Sequence, residues 1–139
     1  YFFTTHEAPR GKVIAVNLDE GLAAARTVIP EGADTIDGVR ISAGRFVVTY
    51  MRDVANRVAI FSLDGAPAGE IALPGLGAVL SVGGKFKDPE VFVNFSSFLY
   101  PGTILRHNLD TGATTVWREA KTDFGASQYE TKQIFYPSK

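Results

Sequence analysis

A serine nucleophile on an α/β scaffold needs Gly-x-Ser-x-Gly, because that sharp strand-to-helix turn exposes the hydroxyl beside oxyanion donors. The nearest approach in this chain is Ser42-Ala43-Gly44, with Arg40 where the first glycine belongs. Its surroundings read as a strand entering a turn, so Ser42 is expected to be structural. His6 and His107 are the only histidines, too few for a multi-histidine metal site or a broad choice of Ser-His relays. His107 stands where other copies of a repeated segment carry Val16 and Phe61, and reads as a partly buried histidine bonded to backbone or a carboxylate. His6 precedes the turn Glu7-Ala8-Pro9-Arg10-Gly11 and reads as solvated. Gly83-Gly84-Lys85 invites a phosphate-loop reading, but Val79 replaces the required earlier glycine and Phe86 the following hydroxyl residue. A strand end followed by the turn Lys87-Asp88-Pro89 is the better reading. Asn94-Phe95-Ser96 matches a glycosylation sequon inside a predicted strand, where chance explains it. Asp34, Asp37 and Arg40 lie on one predicted strand as a charged wall and not as an acid/base pair. With no cysteine, disulfides, thiolate metal sites and thiol nucleophiles are excluded, and cytoplasm and periplasm suit the chain equally.

The elements that carry these residues repeat. Lys12 to Asp19 reappears as Arg57 to Asp64 and as Thr103 to Asp110, at intervals of 45 and 46 residues between Leu18, Leu63 and Leu109. That period is the length of a four-stranded propeller blade. Upstream, Tyr1 to Thr5 falls on Phe46 to Tyr50 and on Phe92 to Ser96, aromatic and β-branched runs that strands prefer. One parity of the repeated strand carries Ile14, Ala59 and Leu105, then Val16, Phe61 and His107, then Leu18, Leu63 and Leu109, and is expected to be core in every copy. Asp19-Glu20-Gly21, Asp64-Gly65 and Asp110-Thr111-Gly112 follow as hairpin turns. Outer strands are read at Arg26 to Ile29, Ala68 to Leu73 and Ala113 to Glu119. Innermost strands are read at about Asp34 to Ser42 and Gly77 to Gly83, and the first copy lacks one. No segment keeps a helical apolar period, so the expectation is an all-β arc of about two and three-quarter antiparallel blades.

The chain has 139 residues, 45% hydrophobic and 21% charged, with a formal charge of −1, which is ordinary for a globular domain. Its basic residues form no stripe, so nucleic acid is not an expected partner. No apolar run approaches the roughly 18 residues of a membrane span. Tyr1 to Thr5 carries no basic leader, and the start reads as a cut inside a domain. Past about Lys121 the repeat stops, and Tyr129 to Tyr136 alternates like a strand of some other unit.

The stretch Phe92-Val-Asn-Phe-Ser-Ser-Phe-Leu-Tyr100-Pro101-Gly102 resembles the Phe-Thr-Ser-Phe-x-x-Pro-Gly signature of the prolyl oligopeptidases, serine peptidases that cut short peptides after proline. Phe95, Ser96, Ser97, Phe98, Pro101 and Gly102 occupy the matching places, with Ser96 for the usual threonine. Arg52-Asp53-Val54 with Arg57, Leu63-Asp64-Gly65 with Leu73-Pro74, Phe124 to Tyr129 and Gln133 to Lys139 continue the likeness along essentially the whole chain. Gly125 departs from the family's common aspartate and puts one linker contact in question.

The resemblance implies a seven-bladed propeller over an α/β-hydrolase domain, in a chamber that admits short peptides and excludes folded proteins. Residues 1 to about 122 would be its last blades and 123 to 139 the return strand into the hydrolase domain. The triad and proline pocket would lie mainly beyond Lys139, so the resemblance places no catalytic, cofactor-binding or metal-binding residue on this chain and calls for no cofactor. The expected partners are the rest of the parent polypeptide and short proline-containing peptides, and uncovered blade faces predict self-association of the piece. Oligopeptidase B, which cuts after basic residues, and a non-catalytic protein-binding propeller are the competing readings.

Overall fold

The computed structural model describes residues 1–121 and 128–137. Three antiparallel sheets follow one another along the chain. The first holds β1 (Phe2–Thr4), β2 (Lys12–Ala15) and β3 (Arg26–Ile29). The second is a meander of β4 (Thr35–Ser42), β5 (Arg45–Arg52), β6 (Ala55–Ser62) and β7 (Pro67–Ile71). The third repeats that meander as β8 (Ala78–Gly84), β9 (Glu90–Ser96), β10 (Thr103–Asn108) and β11 (Thr114–Arg118). The innermost strands, β4 and β8, fall where the repeat placed them, and the first sheet lacks its counterpart. A 3-10 turn at Leu22–Ala24 is the one departure from β-structure and turns among these elements.

The middle sheet shows why the unit needs neighbours. Its strand β5 reads Arg-Phe-Val-Val-Thr-Tyr-Met-Arg, and Phe46 through Tyr50 are all buried, on both faces. Phe46, Val48, Tyr50 and Ala59 pack with Val13, Val28 and Ile29 of the first blade. Alternate residues Val47, Val58 and Ile60 pack with Val79, Val91, Val93, Phe95, Leu105 and Leu109 of the third. A period of two along each strand thus feeds two cores, one on each side of the sheet. Phe46 and Phe95 have no exposed surface, and truncating either to alanine costs about 3 to 5 kcal/mol.

Backbone contacts fix the spacing between blades. The Ile36 amide donates to the Arg10 carbonyl at 2.8 Å, and the Asn56 amide to the Gly77 carbonyl at 2.9 Å. At Gly65, φ is +94°, and a Cβ there would lie 2.0 Å from the Val28 carbonyl oxygen, so the turn after β6 must be glycine to seat against the first blade.

The expected core parity holds in the third copy, where Leu105, His107 and Leu109 are buried, but not in the first. Leu18 is 85% exposed, Ile14 and Val16 are half-buried, and Val13 of the opposite parity is buried instead. The reason is position in the arc: Ile14, Val16 and Leu18 face away from the second blade, while Val13 and Ala15 of the opposite parity pack toward it. The outer face of the third blade is more polar. There Glu90 pairs with Arg106, whose guanidinium lies 5.3 Å from the Trp117 ring, and Phe92 meets Trp117 edge-on. Tyr129 to Tyr136, expected as a strand, belongs to none of the strands among the described residues. The proposed boundary at 122/123 and the departure at Gly125 lie outside the described residues, as does the end of the likeness at Ser138 and Lys139.

Candidate functional site

The candidate chemical residues are dispersed by the fold. Ser42 closes β4 and has no exposed surface; its Oγ faces the carbonyls of Lys85 and Asp88 at 2.8 and 2.7 Å. The neighbouring Ala43 amide donates to the Phe86 carbonyl at 2.9 Å. Ser42 therefore clamps the β8–β9 turn of the next blade, and its one proton is committed to backbone oxygens. Gly83 and Gly84 end β8, and a Cβ at Gly84 would press on the Glu90 carbonyl and Val91 at 3.1 Å. Gly84 is there for close approach between strands, and Lys85 begins a turn.

His107 is 2% exposed in the core between the second and third blades, where its Nδ1 lies 2.8 Å from the Thr114 hydroxyl. The partner is thus a threonine on the adjacent strand and not the backbone group or carboxylate expected. Its Nε2 is buried without a partner, and burial pushes the imidazole pKa down, favouring the neutral ring. His6 is exposed in the turn after β1. Among the described residues no cluster of three metal-ligating side chains occurs.

The acidic wall divides. Asp34 precedes β4 and is buried, its carboxylate taken by Arg52 at 2.7 Å and Arg57 at 2.8 Å. The hydrogen bond from Arg52, reinforced by Arg57, holds its pKa below the usual carboxylate value against the opposing effect of burial. Asp34 is accordingly a brace and not a wall residue. Asp37 is skipped by the ladder between Ile36 and Gly38 and is exposed, and Leu80 is skipped at the same place in β8 and is 62% exposed. These bulges line a cavity of about 290 Å³ between the two innermost strands, together with Arg40, Thr49 and Ser81. Asn94 lies mid-strand in β9, partly buried.

A larger cavity, about 510 Å³, opens at the edge where β5, β7, β9 and β11 end. Asp53, Val54, Leu76, Gly77, Phe98 and Gln133 line it. Four features shape it. The Asp53-Val54 hairpin joins Arg52 and Ala55 through two residues at φ 46° and 60°, and the Gln133 amide donates to the Asp53 carbonyl. Asn56 reaches across blades: its Oδ1 accepts the Val79 amide at 2.7 Å while its Nδ2 donates to the Tyr50 carbonyl at 3.1 Å. A Cβ at Gly77 would lie 2.5 Å from the Ser96 carbonyl oxygen, so the chain can pass there only as glycine. Finally, the Ser97 Oγ accepts the Leu99 and Tyr100 amides at 3.2 and 3.1 Å, a local turn that leaves Phe98 89% exposed. Phe95 of the same signature is fully buried, so Phe95, Ser97 and Gly102 build the turn and Phe98 is presented outward. Sequence reasoning singled out this stretch but missed the cavity. The available signal was Val54 standing where a two-residue hairpin calls for glycine.

A family model described as prolyl oligopeptidase, N-terminal beta-propeller domain, matches residues 1–120. A prolyl endopeptidase of Elizabethkingia meningoseptica is 28% identical over 139 residues, 99% of this chain and 20% of that protein. The chain therefore spans about a fifth of the length of the curated relatives it matches. A solved prolyl endopeptidase superposes with a TM-score of 0.89 at 27% identity, covering 96% of this chain and 20% of the other. The prolyl oligopeptidase B of Galerina marginata, bound to a 35mer hydrolysis and macrocyclization substrate, gives 0.85 at 27% identity over the same shares. Oligopeptidase B from Leishmania major, 15% identical with a TM-score of 0.70 over 92% of this chain and 20% of its own, shares the fold alone. Repeated four-stranded sheets, the Phe95 to Gly102 turn and a family match over residues 1–120 converge: the chain belongs to the prolyl oligopeptidase family, within its N-terminal β-propeller domain.

Proposed function

We propose that this chain is the propeller portion of a serine endopeptidase that hydrolyses short peptides after proline, and that its blades select substrates by size while the chemistry lies in another domain of the parent polypeptide. The observation that carries this is the two-sided burial of the middle blade. A sheet with cores on both faces is one sector of a larger ring, and a ring over a catalytic chamber admits an extended peptide more readily than a folded protein. Adjacent sectors are stapled at both ends, by Ser42 at one edge and Asn56 at the other, so that they resist separation. The axial cavity lined by Asp37, Arg40, Thr49 and Ser81 gives the inner wall its polar character. In this reading residues 1 to about 122 are blades, and 123 to 139 return toward the hydrolase domain.

The test is a chromogenic Gly-Pro substrate. The full-length polypeptide is expected to turn it over and this chain alone to give no more than a blank. Turnover by the chain alone, or none by the full-length polypeptide, overturns the reading.

A further inference from the structure

The two innermost strands of the middle blade turn one side toward the third blade. In the β4–β5 ladder Arg40 lies opposite Val47 and Gly38 opposite Thr49, and Val47 belongs to the core shared with the third blade, so these four residues share that side. Thr49 follows the apolar run Phe46-Val47-Val48 and is 6% exposed, yet its hydroxyl has no hydrogen-bond partner among the described residues. A buried donor without a partner is costly, and Thr49 lines the cavity of about 290 Å³ between β4 and β8. Gly38 keeps the space across from it open, since a Cβ there would meet nothing within 4 Å.

The rim of the same cavity carries charge. Asp37 and Arg40 are exposed, and neither enters a hydrogen bond or ion pair among the described residues. Other arginines of these blades are committed: Arg45 to Asp110, Arg52 and Arg57 to Asp34, and Arg106 to Glu90. Arg40 is therefore left with a guanidinium to offer, and Asp37 with a carboxylate. Backbone groups are on offer as well. Both β4 and β8 are edge strands of their sheets, and each carries a bulge at the same place, so unpaired amides and carbonyls border the opening from two sides.

We propose that the cleft between β4 and β8 binds a short peptide with both termini free, its carboxylate on Arg40, its ammonium on Asp37, and a carbonyl between them accepting from the Thr49 hydroxyl. Free strand edges favour a peptide over other zwitterions, because they add main-chain hydrogen bonds to the contacts at its ends. Size follows from the strand. Asp37 and Arg40 are three steps apart along β4, about 10 Å, and a peptide of two or three residues spans about 7 to 10 Å. The cavity of about 290 Å³ stands at the lower end of the roughly 300 to 1,000 Å³ usual for small ligands, which fits an occupant of that length. The inference goes beyond the functional reading, since it concerns binding and not bond cleavage, and every group it uses lies in this chain.

The experiment titrates the full-length polypeptide by calorimetry with trialanine, which has no proline to be cut after, and with its N-acetyl and C-terminal amide forms. The free peptide should bind, and each cap should weaken it about fivefold, the upper size of an exposed ion pair. Arg40→Gln should weaken the free peptide by the same factor and leave the amide no weaker than before, and Asp37→Asn should do likewise for the acetyl form. Thr49→Val keeps the shape and removes an unpartnered hydroxyl, so it should weaken all three peptides by about threefold or more with no loss of thermal stability. No binding at about 10 mM trialanine overturns the proposal, as do affinities that all three substitutions leave at the wild-type value. A peptide capped at both ends that binds as tightly as the free one overturns it too. Turnover of a Gly-Pro substrate by the same preparation reports the functional reading separately, so either can fail while the other stands.

Discussion

Removing the carboxylate of Asp34 tests whether the middle blade is braced electrostatically. Asp34 is 7% exposed and receives Arg57 Nε at 2.8 Å and Arg52 Nε at 2.7 Å. Arg57 also pairs with Glu70 at 2.8 Å and lies 4.3 Å above the Tyr50 ring, so it is held in place before Asp34 meets it. The Arg52 side chain is 61% exposed, so solvent screens its pairing and Arg57 carries most of the stabilisation. A hydrogen bond between charged groups contributes roughly 1.5 to 3 kcal/mol, so Asp34→Ala should destabilise the chain by about 2 kcal/mol. With a urea slope of about 2 kcal/mol per molar, the unfolding midpoint should fall by about 1 M, read by circular dichroism or by the fluorescence of Trp117. The pH dependence gives a second check. The folded carboxyl titrates below its ordinary value of 3.8, so its contribution is full above that pH and is lost as pH falls through the lower folded value. Wild type and Asp34→Ala should therefore converge in acid. A difference below about 0.5 kcal/mol at pH 7, or curves that stay parallel through the acid limb, would refute the brace.

Ser42→Ala should lower stability by about 1 to 3 kcal/mol, because it leaves the Lys85 and Asp88 carbonyls without their buried donor. In the full-length polypeptide the same variant should keep its peptide turnover, measured by initial rates below the melting point. His107→Phe, which copies Phe61 of the preceding blade, should remove a decline in stability that begins in wild type as pH falls below about 6.5. The sign follows from burial: the folded imidazole has a lowered pKa, the unfolded chain takes up the proton first, and acid favours unfolding. Urea titrations at several pH values separate this window from the more acidic one of Asp34.

The repeat made the sheets legible. Leu18, Leu63 and Leu109 recur at blade length, and each blade is a local meander whose strands and turns have strong local signals. Which face is buried was less legible, because it depends on neighbours and not on the strand. Ile14, Val16 and Leu18 carry the same pattern as Ala59, Phe61 and Leu63, yet they face away from the only adjacent blade. Asp34 shows the same limit: three residues from Asp37, it reads as part of one charged wall, but that odd spacing points the two to opposite faces and Asp34 turns to Arg52 and Arg57. The cavity at the strand ends is assembled from residues as far apart as Asp53 and Gln133, and periodicity reports nothing about such meetings. The strain at Val54 was written in the sequence as an absent glycine, but only the backbone angle gives that absence its meaning.

The most direct measurement of the central claim is to incubate the full-length polypeptide with defined peptides containing proline, lysine and arginine alongside a folded protein carrying the same sites, and to map every cut by mass spectrometry. The account predicts cleavage after proline in the short peptides with the folded protein left intact. Cuts confined to basic residues, equal digestion of the folded protein, or no cleavage at all would contradict it.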